Sequence, residues 1–136
     1  MLDDEYKIPV QHDTEGTTSV VLTVRELDDD YLVACKLPGL NDVLTSQASD
    51  CFAALQGIRR KAEERGWRIC CAGSRKNVWP SGMSRDMGGG FKAYVLTLGE
   101  QARSMVNILD PDKPESYCSV ADQESFAKQW FGSIRK

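Results

Sequence analysis

The chain has 136 residues, of which 41% are hydrophobic and 27% charged, the proportions of an ordinary soluble domain with enough length for one core that needs no staples. No run of about 18 apolar residues occurs, which excludes a membrane-spanning helix. The formal net charge of −3 is unevenly spread: Met1–Leu32 carries nine acidic side chains against Lys7 and Arg25, whereas Gly73–Lys92 carries Arg75, Lys76, Arg85 and Lys92 against Asp86 alone. That segregation fits either electrostatic steering of a charged partner or a merely solvated surface.

The opening MLDDEYKIPV has neither a basic n-region nor an apolar h-region, so a cytoplasmic location is expected. Residues 1–16 are polar and acidic and predict a loose arm, or an edge strand around Tyr6–Val10 cut short by Pro9. Thr18–Leu27 is rich in β-branched residues and puts Val20, Leu22 and Val24 on one face. Asp28, Asp29 and Asp30 form a turn, and Tyr31–Leu37 completes a hairpin closed by Pro38 and Gly39. Asn41–Thr45 is a connector. Gln47–Arg65 is a predicted helix: Phe52, Leu55, Ile58 and Ala62 share a face, Thr45, Ser46 or Ser49 offers a cap, and Gly66 sits where a left-handed stop belongs.

Trp67–Ala72 is the third strand. Gly73–Gly90, containing WPSGMSRDMGGG, is a long Gly-rich loop. Phe91–Leu98 alternates as a strand, Ser104–Leu109 is another, and DPDKPES is a loop. Ser119–Lys136 predicts a helix with Ser119 at its N-cap, Asp122 three residues on, a stripe of Val120, Phe126, Trp130 and Ile134, and Arg135 and Lys136 favourably placed at its C-terminal end. The order ββαβββα implies a single α+β domain over 1–136, with a mostly antiparallel sheet of about five strands and two helices packed on it.

The chemistry of the 73–90 loop is narrowed by elimination. Its glycines lead into a strand rather than a helix, which does not fit a phosphate cradle. Ser81 and Ser84 lack a base, because His12 is the only histidine and falls in the arm; Lys76 or Lys92 in that role has no supporting pattern. Asp28–Asp30, Asp110 and Asp112 lie in turns, the usual place of solvated aspartates. The five cysteines, Cys35, Cys51, Cys70, Cys71 and Cys118, form no C-x-x-C and point to reduced, partly buried thiols. No catalytic residue, metal or cofactor is expected. Basic side chains beside Trp79 allow a nucleic-acid module, against which stand the acidic chain and the lack of a reader motif. A small enzyme or ligand-binding domain using the loop as a pocket wall is the other alternative. The favoured reading is a protein-binding surface, because Trp and Arg are preferred at interface hot spots and Met adapts to partner shapes. Val78, Trp79, Met83 and Met87 supply its apolar groups. The partner-binding candidates are Arg75, Lys76, Trp79, Arg85 and Asp86 on the loop, with Asp28, Asp29 and Asp30 on the hairpin.

The stretch Trp67–Asp110, with WRICCAGSRKNVWPSGMSRDMGGGFKAYVLTLGEQARSMVNILD, and the closing SVADQESFAKQWFGSI resemble small bacterial immunity proteins of contact-dependent inhibition and Rhs-type polymorphic toxin systems. The resemblance covers roughly the C-terminal half. It implies a non-catalytic cytoplasmic inhibitor that binds the toxin domain of its cognate effector and occludes the active site. Such toxin domains are often nucleases with basic clefts, which the acidic stretch Asp3–Asp30 would suit.

Overall fold

The computed structural model describes residues Asp3–Ile134. The first strand, β1 (Asp4–His12), forms a hairpin with β2 (Gly16–Glu26), and β3 (Tyr31–Cys35) and β4 (Leu44–Ala48) follow. Helix α1 (Cys51–Glu63) leads to β5 (Trp67–Ile69), and these five strands form one antiparallel sheet in the order β4-β3-β2-β1-β5. A second, three-stranded antiparallel sheet, β6-β7-β8, is made from β6 (Val78–Trp79), β7 (Lys92–Val95) and β8 (Met105–Asn107). Helix α2 (Gly82–Gly88) is inserted between β6 and β7, and α3 (Val120–Ile134) closes the described chain. The architecture is α+β and mostly antiparallel, as the strand runs predicted, with a second sheet and a third helix added. No helix among the described residues is long and apolar enough to cross a membrane.

One face of the large sheet is covered. Ile8, Val10, Leu22, Val24, Val33 and Ile69 are buried there against Phe52, Leu55 and Ile58 of α1. The opposite face stays open, with Val21 half exposed. Val20, Leu22 and Val24 share the inward face as their alternation predicted.

Four local expectations are corrected. Residues 4–12 are not an arm or an edge: β1 lies inside the sheet, paired with β2 along its whole length and with β5 at its end. Pro9 is tolerated because its carbonyl, and hence its missing N–H, faces the β5 side. There the carbonyl accepts from Cys70 N at 2.8 Å, just past the last residue of β5. Leu44–Ala48 is a strand, so α1 starts at Cys51 and is capped by Asp50, whose Oδ1 accepts from Ala53 N at 2.9 Å. Gly73–Gly90 is not a loop but a 3₁₀ turn (Ala72–Ser74), a short strand and a helix. The strands expected at Trp67–Ala72, Phe91–Leu98 and Ser104–Leu109 are all shorter. Ser119 caps α3 as expected, accepting from Asp122 N at 3.2 Å; Arg135 and Lys136 lie outside the described residues.

Helix α3 packs beside α1 and meets the second sheet through single side chains: Gln123 bonds the Val78 carbonyl of β6, and Trp130 and Phe131 share a groove with Trp79 and Tyr94. Its fully buried Gln123 donates from Nε2 to the carbonyls of Gly73, Arg75 and Val78, and its Oε1 accepts from Arg59 Nη1 at 2.6 Å. Arg59, fully buried on α1, also donates to the carbonyls of Gly73 and Cys118. Replacing Gln123 with leucine keeps the bulk but takes the acceptor from Arg59 Nη1 and the side-chain donor from the Val78 carbonyl, while the Gly73 carbonyl keeps Arg59 and the Arg75 carbonyl keeps Val78 N. Urea denaturation is expected to show a loss of about 3 kcal/mol or more, a value typical of breaking a buried charged network.

All five thiols are free. Burial pushes Cys35 and Cys70 up to about 11 and Cys51 to about 12, from an ordinary 9.0, and raises Cys71 as well. The unfolded chain therefore releases these protons at lower pH than the folded one. Their contribution is fully present below pH 9 and is lost as the pH rises through 11. Denaturation midpoints are expected to be insensitive to the thiols at pH 7–8 and to fall steadily above pH 9.

Candidate functional site

Helix α2 is held in place by interactions that its sequence encodes at both ends. Ser81 caps the start, its Oγ accepting from Ser84 N at 3.0 Å. Ser84 Oγ in turn donates to the Lys92 carbonyl of β7 at 2.6 Å. At the other end the triple glycine turns the chain onto α1. Gly89 adopts a left-handed φ of +68° and Gly90 one of +74°. The Gly89 carbonyl accepts from Cys51 N at 2.7 Å. A Cβ on Gly90 would come within 2.7 Å of Asp50 Oδ1, and one on Gly89 would collide with the Tyr31 hydroxyl. Only glycine allows both the backbone angle and the approach.

Arg85 points inward from α2. Its guanidinium lies 5.2 Å from the Phe52 ring centroid and 5.4 Å from that of Trp79, and Nη1 donates to Asp50 Oδ2 at 3.1 Å. Trp79 itself is half-buried and meets Phe52 edge-on at 5.2 Å. Both residues, expected on a partner surface, are thus engaged with the protein's own core. The outward face of α2 then carries Met83, Asp86 and Met87, with the two methionines 72% and 83% exposed.

The remaining candidates divide between two places. Asp28 and Asp29 are exposed in the β2–β3 turn, which is closed by Leu27 N donating to the Asp30 carbonyl; the Asp30 side chain accepts from Gln47 Nε2. A groove of about 240 Å³ joins this turn to α2, lined by Glu26, Asp28, Asp29, Arg85, Asp86 and Met87 among others. The structure therefore brings together Asp28, Asp29, Arg85 and Asp86. It places Arg75 and Lys76 elsewhere: Arg75 pairs with Asp112, and Lys76 lies 5.3 Å over the Phe126 ring of α3. Burial, the largest single influence, would raise the Asp112 carboxyl, but the hydrogen bonds from Arg75 and from Lys113 N, with the charges of both side chains, together outweigh it and hold the group below its ordinary value.

Ser81 and Ser84 spend their hydroxyls on the helix cap and on β7. The His12 ring lies tilted against Trp67 with centroids 4.8 Å apart and its Nδ1 facing Thr14 and Glu15; neither His12 nor Trp67 lines the groove. Among the described residues no three His, Cys, Asp or Glu side chains are grouped to hold a metal. Among the charged residues lining the groove, Glu26 was missed in the sequence. The i,i+4 spacing of Met83 and Met87 was the readable sign of a helix with one apolar outer face. No protein-family model matches the chain, and no curated protein matches it in sequence.

Arg85→Ala is expected to lower stability by about 1–2 kcal/mol, because it removes two ring contacts and leaves Asp50 almost buried without its cation. Arg85→Lys keeps the charge but loses the planar stacking, so it should recover only part of that loss. Denaturant titration of the three proteins, followed by tryptophan fluorescence, checks both outcomes.

Proposed function

We propose that this chain is a non-catalytic immunity protein, acting in the cytoplasm, that binds and neutralises a cognate toxin domain by covering its active site. The observation that carries this reading is the convergence of two segments far apart in sequence. The Glu26–Asp30 turn and helix α2 share one groove, with exposed acids and exposed methionines side by side. Such a surface complements a basic cleft of the kind a nuclease presents to its phosphate substrate, and its field speeds encounter with one. The resemblance of Trp67–Asp110 and of the closing helix to immunity proteins supplies the partner class.

A second reading has one observation in its favour. Trp79, Pro80, Tyr94, Leu96, Trp130 and Phe131 wall a largely apolar groove of about 410 Å³. That volume and lining suit a small aromatic ligand bound beside the start of α2.

Co-expression with the toxin domain separates the two. A neutralising protein rescues growth and co-purifies with that domain, and the combined Asp28→Asn, Asp29→Asn, Asp86→Asn variant should associate about tenfold more slowly at low salt, with the gap closing at high salt. An unchanged association rate removes this surface from the reading, and absent rescue removes the reading itself.

A further inference from the structure

Met83, Met87 and Met105 account for three of the four methionines in the chain, and all three line one groove of about 420 Å³. They are 72%, 83% and 45% exposed. Scattered apolar side chains are normal on a surface, but three long ones around a single depression make a contiguous apolar patch. Its two walls come from different elements. Met83 and Met87 stand one turn apart on α2, about 6 Å along the helix. Met105 on β8 is the cross-strand partner of Tyr94 on β7, so those two side chains share a face of the small sheet. Thioether chains are unbranched and polarizable, and they shape themselves to whatever apolar group enters.

This groove adjoins the acidic one, because Met87 lines both. Charges around the pair are unbalanced. Glu26, Asp28, Asp29 and Asp86 line the acidic half. Arg85, which also reaches it, is held by Asp50 and the two rings. Lys92, which lines the methionine groove, is the other cation among the residues lining the two grooves, against four acids. A ligand that fills both halves must bring apolar groups to the methionines and positive charge to the acids.

The geometry points to a basic amphipathic helix of the partner as the occupant of this double groove, with apolar side chains one turn apart seated among Met83, Met87 and Met105. Its lysines or arginines face Glu26, Asp28, Asp29 and Asp86. A helix supplies apolar anchors at i and i+4 at the same pitch as the two methionines of α2. Phosphate-rich ligands meet the wrong sign of charge here. The inference rests on the protein-binding reading proposed above and names the chemistry that this surface selects.

The test uses the full chain with 13C-methyl methionine and three synthetic peptides of roughly 18 residues, about five helical turns. One is a Leu/Lys peptide with its leucines on one face; the second has the same composition scrambled so that no face forms; the third replaces Lys by Glu. The amphipathic Leu/Lys peptide is expected to shift the methyl signals of Met83, Met87 and Met105 and to bind at least tenfold more tightly than the scrambled one. The Glu peptide should not bind. Met83→Ser with Met87→Ser, both at exposed positions, should weaken binding about tenfold. Asp28→Asn with Asp86→Asn should weaken it several-fold and flatten its salt dependence.

Equal binding of the amphipathic and scrambled peptides, unmoved methionine methyls, or binding of the Glu peptide overturns the inference. So does concentration-dependent self-association that the methionine variants abolish, since a second copy would then be the occupant. If a toxin domain is neutralised by the Met83→Ser, Met87→Ser protein with unchanged affinity, this inference fails while the immunity reading stands. If the peptide binds as expected and no toxin domain is neutralised, the immunity reading fails while the chemistry of the surface stands.

Discussion

The guanidinium of Arg59 is fully buried, and its hydrogen-bond partners are acceptors without formal charge: the carbonyls of Gly73 and Cys118 and the amide oxygen of Gln123. A buried cation is tolerated only where its donors are met, so everything that supplies those acceptors must arrive in register. Arg59 sits on α1, which belongs to the large sheet. Gly73 begins the segment that leads into the small sheet, and Cys118 and Gln123 belong to the entry and first turns of α3. One side chain thus ties together the three parts of the fold. Gln123 extends the tie, because its amide nitrogen holds the carbonyls of Gly73, Arg75 and Val78. The backbone that launches β6, and through it α2, is positioned from inside the core. Arg59 Nε has no protein acceptor among the described residues.

From that anchored segment, a second cation decides what the surface looks like. Arg85 turns toward Asp50, Phe52 and Trp79, and a helix as short as α2 cannot bury one face without exposing the other. The inward arginine is the reason the methionines face out. Gly89 and Gly90 complete the arrangement by letting the chain close onto the N-terminus of α1, where a side chain would strike Asp50 or Tyr31. Asp50 therefore acts twice: one carboxylate oxygen caps α1 and the other holds Arg85. The position of the candidate site and the start of the main core helix are set by the same residue.

Much of the fold was legible because strong periodicity and chemistry agreed. The β2–β3 hairpin, the body of α1 and the Ser119 cap of α3 all follow from patterns of apolar or capping residues. What was hidden shared one property, a local signal pointing elsewhere. Tyr6, Ile8 and Val10 alternate as a strand, one of the two readings offered there, but Pro9 pointed to a short edge, and only the position of β5 shows why that proline is harmless inside the sheet. Leu44, Ser46 and Ala48 alternate too weakly to outweigh the helical pattern that follows. The 82–88 helix spans only seven residues, and its one periodic sign, the i,i+4 pair of methionines, is outweighed by the glycine at both ends. The candidate site was half legible. Asp28, Asp29, Asp86 and the methionines were visible as types of residue, but their meeting depends on the packing of α2 against α1, which no local pattern encodes. Arg85 and Trp79 were noticed for the chemistry that suits interfaces, and the same chemistry, planar cation against ring, serves the interior.

The acidity of the first third of the chain acquires a direction only through strand register. In sequence, Asp3–Glu5 and Glu26–Asp30 are separated by twenty residues of mostly neutral chain. In the sheet, Asp4 stands opposite Val24, so the first acids lie at the same end as Glu26 and the β2–β3 turn. Asp13 and Glu15 are carried to the far end, where Arg68 pairs with Asp13 at 2.7 Å. At the near end Arg25 pairs with Asp3 at 2.7 Å, both partly exposed, and such a pair contributes little to stability. Asp86 on α2 adds to the same end from a different element. A one-residue slip of β1 against β2 would keep every charge but turn Ile8 and Val10 to the open face; burial of those two side chains is therefore what fixes the pole. The net charge of the whole molecule is small, but a hydrophobic register has gathered its acids beside an apolar groove, and a partner diffusing toward the protein responds to that local field rather than to the total.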